Sequence, residues 1–144
     1  MPTTRRTRIL EAAPEQVWSV VADPHHLPRW WPRVTRVEGV DEDAFTLVLS
    51  TDRGRMVRTD QRVLESVAPR RRTWTQQLAD TPFARILREA RTTVVLDPEG
   101  SGTRVSLELR QGLRGMSRLG GFMVARAARR QLDSAFEGLE RIVG

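Results

Sequence analysis

Apolar residues recur along this chain at every second position in some stretches and at threes and fours in others, and the two spacings divide it into strands and helices. Arg6 to Glu11 reads as a first strand. Ala13 to Asp23 then switches to helical spacing, with Val17, Val20 and Val21 at i, i+3 and i+4. Pro14 suits the first helical position, Glu15 favours the positive helix end, and Asp23-Pro24 stops the helix. Pro24, Pro28 and Pro32 restrict the following stretch to a turn or a clipped second helix. Trp30 and Trp31 sit on this bend, where large aromatics plug one end of a core or line a pocket.

From Thr35 to Leu78 the pattern is that of an antiparallel meander, broken at Gly39 to Asp43, at Asp52 to Gly54 and after Pro69. Phe45, Leu47 and Leu49 share one parity, as do Trp74, Gln76 and Leu78. In the strand Met56 to Glu65 one face carries Val57, Thr59, Gln61 and Val63, and the other carries Arg58, Asp60 and Arg62. Burying three charges costs far more than burying an amide that finds a partner, so the charged row turns outward and Gln61 and Gln76 face inward.

Thr81 to Ala90 places Thr at a capping position, Pro82 at the first helical position and Phe83, Ile86 and Leu87 on one face. The spacing predicts a short amphipathic helix, either a lid on a cavity or an edge cover. Arg91 to Leu96 and Thr103 to Leu109 flank the turn residues Asp97 to Gly102 as a hairpin, with Leu96 opposite Thr103, Val94 opposite Val105 and Thr92 opposite Leu107. From about Arg114 to the end, Leu119, Phe122, Met123, Ala127, Leu132, Phe136, Leu139 and Val143 predict one long closing helix. Gly120-Gly121 near its start marks a kink or a close approach to another element.

Composition narrows the chemistry. At 144 residues the chain suits one domain, residues 1–144. It has no Cys, which excludes a disulfide framework, a thiolate metal site and a cysteine nucleophile. It has no Lys and no Tyr, which removes Schiff-base and phenolic chemistry. No apolar run approaches the roughly 20 residues of a spanning helix. The amino terminus lacks the apolar centre of a secretion signal, so a cytoplasmic location and no integral membrane segment are expected. Residues Arg110 to Arg130 hold six Arg and no acid, so the net charge of +6 resides there. Such a segment is either a solvated helix face or a surface for RNA, ribosome or anionic membrane. Only Phe122 accompanies it as a stacking aromatic, so the nucleic-acid reading rests on charge alone.

His25 and His26 are the only histidines, and without carboxylates at ligand spacing they make a poor metal site. No nucleophile elbow surrounds any Ser. No catalytic residue, metal or cofactor is assigned from these patterns. Arg58 and Arg91 are the positions to suspect if the opposite strand parity holds.

The stretch Ala13-Pro-Glu-Gln-Val-Trp18 followed by Asp23-Pro24, Leu27-Pro-Arg-Trp-Trp-Pro-Arg-Val34, the strand end from Glu65 to Pro69, Gly102-Thr-Arg-Val105 and the final helix resemble the START-like superfamily, in its polyketide cyclase/dehydrase-like and lipid-transport branch. The resemblance runs across nearly the whole chain. It implies an α+β helix-grip fold: a curved antiparallel sheet of about seven strands wrapped around a long C-terminal helix, with two short helices after the first strand. Periodicity alone reaches the same arrangement.

A cavity between sheet and helix would have walls of Phe45, Leu47, Trp74, Leu78, Val105, Leu107, Leu119, Phe122 and Met123, a mouth near Trp30 and Trp31, and Gln61, Gln76 and Thr92 as its polar groups. The expected partner is a hydrophobic small molecule such as a lipid, a quinone or a polyketide-like aromatic, bound or carried. A polyketide cyclase or dehydratase is the alternative. It requires an ionisable group pointing into the pocket.

Overall fold

The computed structural model describes residues 3–115 and 118–144, with Arg118 and Leu119 described by their backbone only. Seven strands form one antiparallel sheet: β1 (Thr3–Leu10), β2 (Val34–Glu38), β3 (Ala44–Ser50), β4 (Met56–Val67), β5 (Arg71–Gln76), β6 (Leu87–Glu99) and β7 (Gly102–Leu113), in the order β1-β7-β6-β5-β4-β3-β2. Between β1 and β2 lie α1 (Pro14–Val21), a single 3₁₀ turn (Pro24–His26) and α2 (Leu27–Trp30). The long helix α3 (Arg118–Val143) closes the chain. The curved sheet and the closing helix make the helix-grip architecture expected above.

Alternation decides which face of the sheet is inside. Phe45, Leu47, Trp74, Val94, Leu96, Val105, Leu107 and Leu109 are all buried, whereas Arg58, Asp60 and Arg62 stand in solvent. The charged row of β4 therefore points outward and Gln61 inward, as the desolvation argument requires.

On α3 the buried residues are Ala128, Leu132, Ala135, Phe136 and Leu139, a stripe at threes and fours along the second half of the helix. Two devices fix where that stripe lands. The Arg8 guanidinium lies 5.2 Å from the centre of the Phe136 ring and pairs with Glu140 at 2.9 Å, while Arg6 reaches Asp133 at 3.4 Å, so β1 holds the helix from one side. On the other side Gly138 lets α2 come close, since a Cβ there would stand 2.5 Å from Trp30 Cα. The helix thus sits solidly over the β1–β7 end of the sheet.

Two local expectations are corrected. The predicted helix over 81–90 is only one 3₁₀ turn, Pro82–Arg85, after which β6 begins at Leu87. Ile86 is exposed and Phe83 and Leu87 are only half-buried, so burial of the intended apolar face does little to offset the cost of helix nucleation. The β6–β7 turn is also tighter than its composition suggests. Glu99 pairs with Gly102 across Gly100 and Ser101, with Gly100 at φ +59°, the left-handed backbone that a two-residue hairpin turn demands. Leu96 therefore faces Val105, Val94 faces Leu107 and Thr92 faces Leu109, two residues on from the expected register. A shift of two preserves parity, so the apolar side chains still share one face.

Candidate functional site

Where α3 leaves the sheet, over β3 to β7, a cavity of about 140 Å³ remains. Trp31, Leu47, Leu49, Trp74 and Leu109 supply its apolar walls, and Thr59, Gln61, Gln76, Thr92, Gln111 and Gln131 its polar ones. The strand pairs explain the convergence: Gln61 lies beside Gln76, Ala90 beside Gln111 and Trp74 beside Thr92, so each ladder rung puts its inward pair on the same wall. Gln131 comes down from α3.

The aromatic wall is pinned by edge-to-face contacts. Trp74 meets Phe45 at 6.2 Å between ring centroids, and Trp30 meets Trp31 at 5.4 Å. The polar wall is also oriented. Gln61 Nε2 donates to Thr59 Oγ1 at 3.1 Å, and Thr59 Oγ1 donates to the Leu47 carbonyl at 3.3 Å. This fixes one end of the Gln61 amide and leaves its carbonyl oxygen available to a guest.

Of the predicted positions, Trp31, Leu47, Gln61, Trp74, Gln76 and Thr92 border this cavity. Phe45 stands behind Trp74 in the core, and Val105 and Leu107, with no exposure, are core residues too. Trp30 is not at the mouth: it is buried against Gly138, so one tryptophan of the pair plugs and the other lines. Leu78 falls in the loop after β5, where its carbonyl accepts from Thr81, and does not reach the wall. Phe122 and Met123 are 59% and 62% exposed, because the grip of the sheet engages α3 only from about Ala128 onward. The side chain of Leu119 lies outside the described residues.

Sequence reasoning left Leu49, Thr59, Ala90, Leu109, Gln111 and Gln131 out of the wall and missed the neighbouring cleft. Gln111 was reachable by extending the β7 alternation of Val105, Leu107 and Leu109 by one more step. A neighbouring cleft of about 480 Å³ is bordered by Pro32, Arg33, Asp52, Ala127, Arg130, Gln131 and Ser134. Pro32, Arg33 and Gln131 border both this cleft and the inner cavity.

Several charges elsewhere are paired locally. Arg58 pairs with Glu38, and Arg91, which touches the cavity rim, pairs with Glu89 at 3.2 Å. Within the basic segment Arg110 pairs with Glu89, Arg114 donates to the Ala84 carbonyl at 2.8 Å, and Arg126, Arg129 and Arg130 lie close together on α3, Arg130 bordering the cleft. Arg72 is buried in β5, donating to Ser66 Oγ at 2.9 Å. Burial lowers its pKa and the charge of Asp23 opposes that. His25 and His26 flank Asp23, away from the cavity lining. Among the described residues no cluster of His and carboxylates suits a metal ion, and no helix is long and apolar enough to cross a membrane.

The family model described as polyketide cyclase / dehydrase and lipid transport matches residues 1–144. The chain belongs to that family. Solved structures share its fold over nearly its whole length. A START superfamily protein from Mycobacterium smegmatis superposes with a TM-score of 0.80 at 18% identity, covering 98% of this chain and 96% of that one. A protein from Thermus thermophilus gives 0.76 at 26% identity, covering 99% and 97%. The di-domain ARO/CYC StfQ of the steffimycin biosynthetic pathway gives 0.77 at 12% identity over 98% of this chain and 50% of that one. No curated protein matches by sequence.

Proposed function

We propose that this domain binds a small, largely apolar molecule carrying a few hydrogen-bonding groups, in the cavity between β3–β7 and α3, with entry past Arg33. One observation carries the reading: two indoles and three leucines face four carboxamides across an internal space that opens to solvent on one side. Ligand sites combine apolar walls with a few placed polar groups in this way. At about 140 Å³ the inner space falls below the roughly 300–1,000 Å³ of drug-sized pockets, so the guest is compact or extends into the entrance cleft.

Binding is favoured over catalysis by the chemistry of the lining. Carboxamides and hydroxyls orient a guest, but they exchange no proton near neutral pH. Among the described residues bordering the cavity the charged ones are Arg33 and Arg91, both partnered by carboxylates. A polyketide-like aromatic, a quinone or a lipid fragment would each satisfy such walls.

Native mass spectrometry of gently purified protein tests the reading, together with displacement of an environment-sensitive dye. The expected result is a bound small molecule, or saturable dye binding reversed by competing aromatics. A bare chain with no displaceable dye binding overturns it.

A further inference from the structure

Charge at the entrance has a definite arrangement. Arg33 borders both the inner cavity and the outer cleft, and its guanidinium pairs with Asp52 from the turn between β3 and β4. Arg33 takes a left-handed backbone, φ +66°, and its carbonyl accepts from the Ser50 N–H at 2.9 Å. The residue is therefore seated against the end of β3 whatever its side chain does. Across the cleft α3 presents Arg130 beside Gln131 and Ser134. The cleft lining thus carries two guanidiniums and one carboxylate, which leaves an excess positive charge beside the cavity.

We infer that this entrance binds a carboxylate carried by the guest, which displaces Asp52 from Arg33 and is approached by Arg130, so that the site selects apolar acids over their neutral counterparts. The inference rests on the binding reading above and adds the chemical class of ligand. The group already held by Arg33 is a carboxylate, so the guanidinium is presented to that kind of oxyanion at that place. The pair is readily exchanged, because the Arg33 and Asp52 side chains are 56% and 85% exposed and an ion pair so open to water holds weakly. An incoming acid also buries its apolar body in the cavity, a contribution that Asp52, tethered to its turn, does not make. Asp52 then acts as a built-in competitor for the ligand's charge.

The test uses naphthoate and its neutral isostere naphthamide, titrated calorimetrically against the unsubstituted protein, Arg33→Gln and Asp52→Asn. Both positions are exposed, and thermal melts confirm that the variants fold. The expected result is tighter binding of naphthoate than of naphthamide, a preference on the order of tenfold for one charge-assisted contact. Arg33→Gln erases that preference, and Asp52→Asn increases it. Equal binding of the two compounds, or weaker naphthoate binding in Asp52→Asn, overturns the inference while leaving the cavity reading in place. If neither compound binds, the cavity reading fails and the inference falls with it.

Discussion

The indoles of Trp31 and Trp74 meet edge to face, with centroids 6.2 Å apart and planes at 72°, so that the bend after α2 and the central strand β5 share one aromatic joint. The joint forms one wall of the cavity and also part of the core, since Trp74 is only 4% exposed.

Truncating that joint separates packing from binding. Trp74→Ala removes a buried indole in contact with two other rings, and large-to-small changes of this kind cost about 3–5 kcal/mol. Urea denaturation should show the loss. Trp74→Phe, which keeps an aromatic ring against Trp31, should retain more than half of the stability that Trp74→Ala forfeits.

The Gln61 amide sets the polarity of the wall. Gln61→Leu keeps the volume roughly and removes the carbonyl that Thr59 holds in position. Affinity for naphthol should fall by about 1 kcal/mol, the net worth of a typical hydrogen bond, while affinity for naphthalene holds or rises. Calorimetry with both compounds measures the difference. An equal change for both would detach Gln61 from ligand recognition.

Asp23 gives the fold a defined response to acid. Partial burial raises its pKa, but the His25 backbone N–H at 3.0 Å, the His25 ring at 2.8 Å and the charges of His25 and His26 together hold it below the usual carboxylate range. A group with a depressed folded pKa stabilises the fold above its unfolded pKa and ceases to do so as pH falls through the folded value. Asp23→Asn should therefore be less stable than the unsubstituted protein at neutral pH, and the gap should close below about pH 4. Denaturation midpoints across that range provide the measurement.

The parts of this structure legible in the sequence are those where parity or period alone decides. In β4 a row of three charges can face only solvent, which turns Thr59 and Gln61 inward, two of the six polar residues of the wall. Parity also survives the two-residue slip of the β6–β7 hairpin, so the inward residues are readable although their partners are not. Period fails where an apolar stripe has no surface to meet. Phe122 and Met123 continue the helical spacing of Leu132 and Phe136, but only the second half of α3 rests on β1 and α2. At Thr81 to Ala90 the apolar face is at best half-buried, and only a 3₁₀ turn forms. The entrance is illegible in the sequence because Arg33, Asp52 and Arg130 come from a bend, a hairpin turn and the closing helix, and only the tertiary fold brings them together.

The most direct test of a working cavity is to fill it. Ala90 borders the space beside Gln76 and Gln111, and Ala90→Phe adds a ring without deleting any wall residue. Tryptophan fluorescence should report saturable quenching by naphthamide in the unsubstituted protein, because Trp31 and Trp74 face the guest. Ala90→Phe should remain folded and lose this response by at least tenfold in affinity, on the order of 1.4 kcal/mol. Undiminished naphthamide binding in a folded Ala90→Phe protein would contradict the proposed cavity.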